Sequence, residues 1–183
     1  MRSLASGRSS FAWRLRIGSW LAREAAPAYH RGVPLPPPLP DPLLDSAERQ
    51  DYQEGWERFT RRQFWHAHES WERIWLHQKD PVRSFLQGLI QLTAAYFLLL
   101  GEAPGPGQKR LTRPLSSRFH GALRNFAKAE ARLGEFPATY LDVDVAAVLQ
   151  TIDHARRALH ALGPERLTEF PQSLIAVGAR VPL

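Results

Sequence analysis

The feature that most constrains this chain is the run Phe85–Leu100, FLQGLIQLTAAYFLLL. It is apolar throughout except for Gln87, Gly88, Gln91 and Thr93. A helix with no consistently polar side must be covered all round, by protein or by lipid. The run is sixteen residues long and holds two glutamines, whereas a bilayer span needs about twenty apolar residues. The sequence therefore predicts a central helix wrapped by others and no transmembrane span.

The neighbouring segments supply the wrapping. Asp45 with Glu48 three residues on forms a capping box, which starts a first helix that ends near Arg62 or Gln63. Tyr52, Trp56 and Phe59 recur along it at helical spacing. A second helix runs from about Phe64 to His77. Four of the six tryptophans lie between Trp56 and Trp75, so this helical pair should anchor the core. Asp80-Pro81 reads as N-cap and first residue of the third, apolar helix, and Gly101 stops it. A fourth helix spans about Leu115 to Leu133, carries Phe119, Ala122, Phe126 and Ala129 on one face, and ends at Gly134. A fifth starts at a capping Asp144 and stops at Gly163-Pro164. No alternating run calls for a strand. The fold expected is all-α, a roughly five-helix antiparallel bundle with a central apolar helix.

Four regions follow. Residues 1–32 form a basic arm, 33–44 a Pro-rich linker, 45–163 the bundle and 164–183 a C-terminal tail. The linker, VPLPPPLPDP, holds six prolines in ten residues and favours extended polyproline II. Arm and linker together (residues 1–44) carry six Arg against Glu24 and Asp41, so most of the chain's net charge of +6 resides there and only +2 in the bundle. A nucleic-acid binder concentrates positive charge on its folded face, so no nucleic-acid partner is expected. Within residues 8–23, Phe11, Trp13, Ile17 and Trp20 alternate with arginines, a pattern open to contact with a membrane surface or to organelle targeting. The chain has no cysteine, which removes thiolate chemistry and fits a reducing, cytoplasmic setting. An apolar helix in a small bundle also leaves a homodimer open. Loop 102–114 is rich in Gly and Pro; its Gly101–Gly107 stretch with Lys109 and Arg110 is a weak phosphate-loop pattern with no strand before it.

One cluster can carry chemistry. His68 and Glu72 are four apart on the second helix and share a face; Glu69 adjoins His68. Ionisable groups beside Trp65, Trp71 and Trp75 need partners if they are buried. Gln87 and Gln91, four apart on the third helix, can face them. Three readings are open. One is a closed polar network fixing helix register, with Arg83 as a further partner. Another is a pocket for a ligand or partner walled by the tryptophans. The third is a divalent-metal site with His68 and Glu72 as ligands and Glu69 as general base on metal-bound water. The spelling is H-E-x-x-E rather than the H-E-x-x-H of zinc proteases, so one expected ligand is missing, and His120 is only a distant donor. His154 and His160, six apart on the fifth helix, do not share a face and read as solvent-facing.

The words FWHAHESWERIW (64–75) and FLQGLIQLTAA (85–95) resemble the bacterial and archaeal family catalogued as domain of unknown function 309, with its H-E-x-x-E-x-x-W helix followed by a Q-G-L-I-Q helix. The resemblance covers roughly residues 50–162. It implies a small all-α bundle and a polar signature at His68, Glu69, Glu72, Gln87 and Gln91. It implies no established activity, although some members are labelled metal-dependent hydrolases. The arm before Asp45 and loop 102–114 depart from the family pattern. The reading that follows is a non-enzymatic ligand- or partner-binding module, with a metal-dependent hydrolase and a membrane-surface scaffold as alternatives.

Overall fold

The computed structural model describes residues 44–101 and 113–175. Residues 1–43, with the basic arm, and most of loop 102–114 lie outside the described residues, and so do the expectations placed on them.

Five α-helices form the bundle: α1 (Ser46–Thr60), α2 (Phe64–Trp75), α3 (Val82–Leu100), α4 (Leu115–Leu133) and α5 (Val145–Leu162). α1 starts as its sequence dictates. The Asp45 carboxylate accepts from the Glu48 amide, and Glu48 accepts from the Asp45 amide, so two N-terminal donors are satisfied reciprocally. Asp144 caps α5 through the Ala147 amide at 2.8 Å. α3 ends on Gly101 at φ 62° and α5 on Gly163 at φ 74°, left-handed positions that only glycine takes without strain.

Three expectations need correction. Asp80 does not cap α3, whose N-cap is Pro81 with no side-chain hydrogen bond. The peptide bond before Pro81 is cis, and the Asp80 carboxylate instead accepts from the Ser84 hydroxyl at 2.6 Å. α2 stops at Trp75, where Leu76 takes the C-cap. A minimal antiparallel pair also exists, β1 (Thr139–Tyr140) with β2 (Val143–Asp144). It closes through Leu141 and Asp142, both at positive φ; the mirror-image turn that suits a two-residue hairpin requires that backbone. No glycine announces it.

α3 is the centre of the bundle. It is long and apolar enough to span a bilayer, but 83% of its most apolar window is buried inside the protein, and so it serves as a core helix. α2 packs on one side and α4 on the other. Aromatic rings bind the layers: Phe59 on α1 meets Phe64 on α2, both meet Tyr96 on α3, and Tyr96 meets Phe126 on α4, with centroids 5.2–6.0 Å apart. Edge-on and stacked pairs of this kind contribute roughly 0.5–1.5 kcal/mol each beyond their burial. Glycines let α3 and α4 approach closely. A β-carbon on Gly88 would lie 2.8 Å from the Leu133 side chain, and one on Gly121 would lie 2.9 Å from Leu98. At the C-terminus of α3, Arg118 donates to the carbonyls of Leu98 and Leu99 at 2.8 and 3.1 Å, placing a cation at the negative end of the helix.

The chain stays on the bundle after α5. Two short 3-10 turns, Pro164–Glu169 and Gln172–Leu174, bring Leu167, Phe170 and Ile175 into the same core. Tyr96 donates to the Leu174 carbonyl at 3.2 Å, and Tyr52 on α1 donates to the Leu141 carbonyl in the hairpin at 2.7 Å.

Candidate functional site

The helical repeat of α2 sorts its polar residues into two groups. On the side toward α1, Arg73 donates to Asp51 at 2.7 Å and to Glu54 at 2.6 Å, and Ser70 donates to Glu54 at 3.3 Å. Burial pushes the Glu54 carboxyl upward, but hydrogen bonds from Arg58 and Arg73 outweigh it and hold the group below its ordinary value. Trp71 belongs to this side too. It is fully buried, donates to the Tyr52 carbonyl at 3.2 Å and packs edge-on against Trp56. It is therefore a core anchor set against α1.

The other side of α2 carries His68, Glu72, Trp65 and Trp75. His68 is buried, and loss of solvation pushes its imidazole down to about 4. The Glu72 carboxylate is 3.9 Å from Nδ1, too far for a hydrogen bond. An acid so near favours the protonated ring, yet burial prevails and the imidazole is neutral near pH 7. Glu72 is more open, with 21% of its side chain accessible. His68, Glu72 and Gln87 each engage other groups in the protein. Trp65 packs on Phe97 of α3 at 5.4 Å. Trp75 carries the Arg83 guanidinium 4.2 Å above its ring, a cation–π contact where the sequence left open a pairing of Arg83 with the polar cluster.

Glu69 points elsewhere. Its carboxylate lies 3.4 Å from His66 Nδ1 on the outer face. His120 is exposed and its Nδ1 meets the Ser116 carbonyl one turn earlier, while His154 and His160 face solvent. Among the described residues, no group of three or more His, Asp or Glu side chains is placed to hold a metal ion.

On α3, Gln87 and Gln91 are both buried, at 6% and 1% exposure. The Gln91 side-chain oxygen has no hydrogen-bond partner among the described residues. Such an orphan costs about 1–3 kcal/mol of desolvation and calls for a reason. The surface above it is informative. From Phe85 to Leu99, Ala94 is the one residue of α3 that is not buried. Helical geometry places Gln87, Ile90, Gln91, Phe97 and Leu98 around it, at spacings of three, four and seven. Ala94 is thus a partly exposed position in the middle of α3, with Gln91 one turn away. Sequence reasoning missed Ala94, Ile90 and Phe97. The available signal was a two-alanine step in a run of bulky residues.

The fold and these contacts define a small all-α bundle whose second and third helices hold buried polar groups. Residues 52–103 match the model of the family described as Domain of unknown function (DUF309), a segment that takes in most of α1 and all of α2 and α3. No curated protein and no solved structure matches the chain.

Proposed function

We propose that the bundle is a non-enzymatic binding module whose ligand or partner docks on the surface around Ala94 and the polar groups of the second and third helices, His68 and Glu72 on α2 and Gln87 and Gln91 on α3. One observation carries the reading. A glutamine at 1% exposure keeps an oxygen unpartnered among the described residues, one helical turn from Ala94, the one position from Phe85 to Leu99 that is not buried. Small-molecule sites combine an apolar lining with a few convergent polar groups, and Trp65, Ile90 and Phe97 supply that lining. The hydrolase alternative is supported less well, because Glu69 is turned toward His66 and His68 with Glu72 offers only two ligands for a metal.

Adding bulk at Ala94 tests the proposal. Ala94→Leu adds bulk at a partly open helical position and should leave stability within about 0.5 kcal/mol. A fragment library screened by amide chemical-shift mapping should yield binders that perturb residues 87–97 in the wild type and not in Ala94→Leu. Binders that map elsewhere, or that bind both proteins equally, would refute the assignment. Metal-dependent turnover abolished by His68→Ala would restore the hydrolase.

A further inference from the structure

We infer that the outer side of α4 is a docking surface for an anionic membrane, which it meets through a row of basic side chains along the helix.

The row follows from the helical repeat. His120, Arg124, Lys128 and Arg132 recur every four residues, so each lies one turn from the next on the same side of α4. The row is about 18 Å long and sweeps about 120° of the helix circumference. Side chains as long as arginine and lysine can bring their heads from such an arc to one flat surface.

The charge on this side is out of proportion to the rest of the bundle. α4 carries Arg118, Arg124, Lys128 and Arg132 against one acid, Glu130, a formal +3 that exceeds the +2 of the bundle as a whole. Arg118 is turned to the Leu98 and Leu99 carbonyls, and Glu130 is taken by Arg156 on α5. Elsewhere arginines sit beside acids: Arg58 reaches Glu54, Arg73 reaches Asp51, Arg157 reaches Asp153 and Arg166 reaches Glu169. Along the row no acid stands three or four residues from Arg124 or Lys128, and the first to follow is Glu135, after Arg132. Lys128 and Arg132 engage other groups as well, while His120 and Arg124 are exposed. Like charges one turn apart weaken a helix, and an anionic partner relieves that repulsion.

The neighbours of the row favour a membrane over a nucleic acid. Ser117, Ala127 and Ala131 are exposed and small, so the basic heads stand clear of them. None of the three stacks on a base or offers the paired donor and acceptor that read one. A bilayer asks only for charge from this side, because residues 8–23 supply apolar groups: Phe11, Trp13, Ile17 and Trp20 stand among arginines there, the composition of segments that enter the headgroup region. Two weak membrane signals on one chain bind together far more tightly than either alone.

The test sediments the full-length protein with vesicles of phosphatidylcholine and with vesicles of an equal mixture of phosphatidylcholine and phosphatidylserine. Binding to the mixture should exceed binding to phosphatidylcholine and fall as salt rises. Arg124→Gln, at an exposed position that tolerates exchange, should weaken it about five-fold, and Arg124→Gln with Lys128→Gln about twenty-five-fold. Arg61→Gln with Arg157→Gln makes the same change in net charge at the end of α1 and on α5, and should weaken it less than Arg124→Gln alone. If the two double variants lose binding equally, net charge alone is at work and α4 is not the surface. Binding that the α4 variants leave unchanged, or no preference for the anionic vesicles, overturns the inference as well. If random-sequence duplex DNA rather than the vesicles captures the protein, and the α4 variants abolish that capture, the partner is a nucleic acid and the membrane assignment falls.

Discussion

The indole nitrogen of Trp71 occupies the space that a side chain on Gly55 would fill: a β-carbon built there would lie 2.2 Å from it. The ring cannot retreat freely, because it is fully buried and donates to the Tyr52 carbonyl. Alanine would otherwise favour the helix by about 1 kcal/mol over glycine. Here the collision should dominate, and Gly55→Ala should destabilise the domain by about 1–3 kcal/mol. Urea unfolding measures it; an unchanged or raised midpoint would show that α1 and α2 do not cross as closely as described.

His68 makes stability depend on pH in a definite direction. Its folded pKa, about 4, lies below the unfolded value near 6.5. Above pH 6.5 the ring is neutral in both states and the bundle has its full stability. As the pH falls toward 4, the unfolded chain takes up the proton first, and on the order of 2–3 kcal/mol is lost across that window. Carboxylates held low by arginines, such as Glu54, act at lower pH. Urea midpoints measured from pH 7 to 4 should therefore decline, and His68→Gln should flatten the decline between 6.5 and 4.5. An equal slope in the variant would mean that the imidazole is solvated.

Removing the Gln91 amide should not harm the fold. An unpartnered buried oxygen replaced by an apolar group of similar length is neutral or stabilising, so Gln91→Met should raise stability by up to about 2 kcal/mol while it weakens ligand binding. Calorimetric melting decides. A large loss of stability would mean that the amide has a partner in the folded protein and that a structural role accounts for it.

Arg73 joins α2 to α1 through two carboxylates at once. Its side chain is half exposed, so the contribution is modest, about 0.5–1 kcal/mol, and shrinks with salt. Lysine lacks the forked geometry, so Arg73→Lys should recover little of what Arg73→Ala loses. Denaturation at low salt and at about 0.5 M salt should show the gap between wild type and variant narrowing.

Short-range signals are legible in this chain's residues alone. The Asp45–Glu48 box, the Asp144 cap and the stops at Gly101 and Gly163 involve only residues within one or two turns, and each takes its expected place. The central position of α3 follows from a helix with no polar side. What is not legible depends on which neighbour covers a face. Trp71 and His68 share the inner half of α2 on any helical projection, yet one is enclosed by α1 and the other lies on the side that carries Glu72. Glu69 adjoins His68 in sequence and turns to His66 instead. Asp80 has two possible partners, the helix amides and the Ser84 hydroxyl, and sequence does not rank them. The Leu141–Asp142 turn lacks the glycine or asparagine that advertises a left-handed backbone. Ala94 reads as one more small core residue, because its partial exposure arises from the spacing of helices distant in sequence.

The close approach of α4 to α3 bears on where this domain begins and ends. The segment matched by the family model stops at residue 103, yet Gly88 lies against Leu133, Tyr96 against Phe126, and Tyr52 reaches across to Leu141. A recombinant fragment cut at the family limits would leave one flank of its most greasy helix bare to water. Such a piece is bound for inclusion bodies, and the smallest unit worth expressing reaches at least to Ile175.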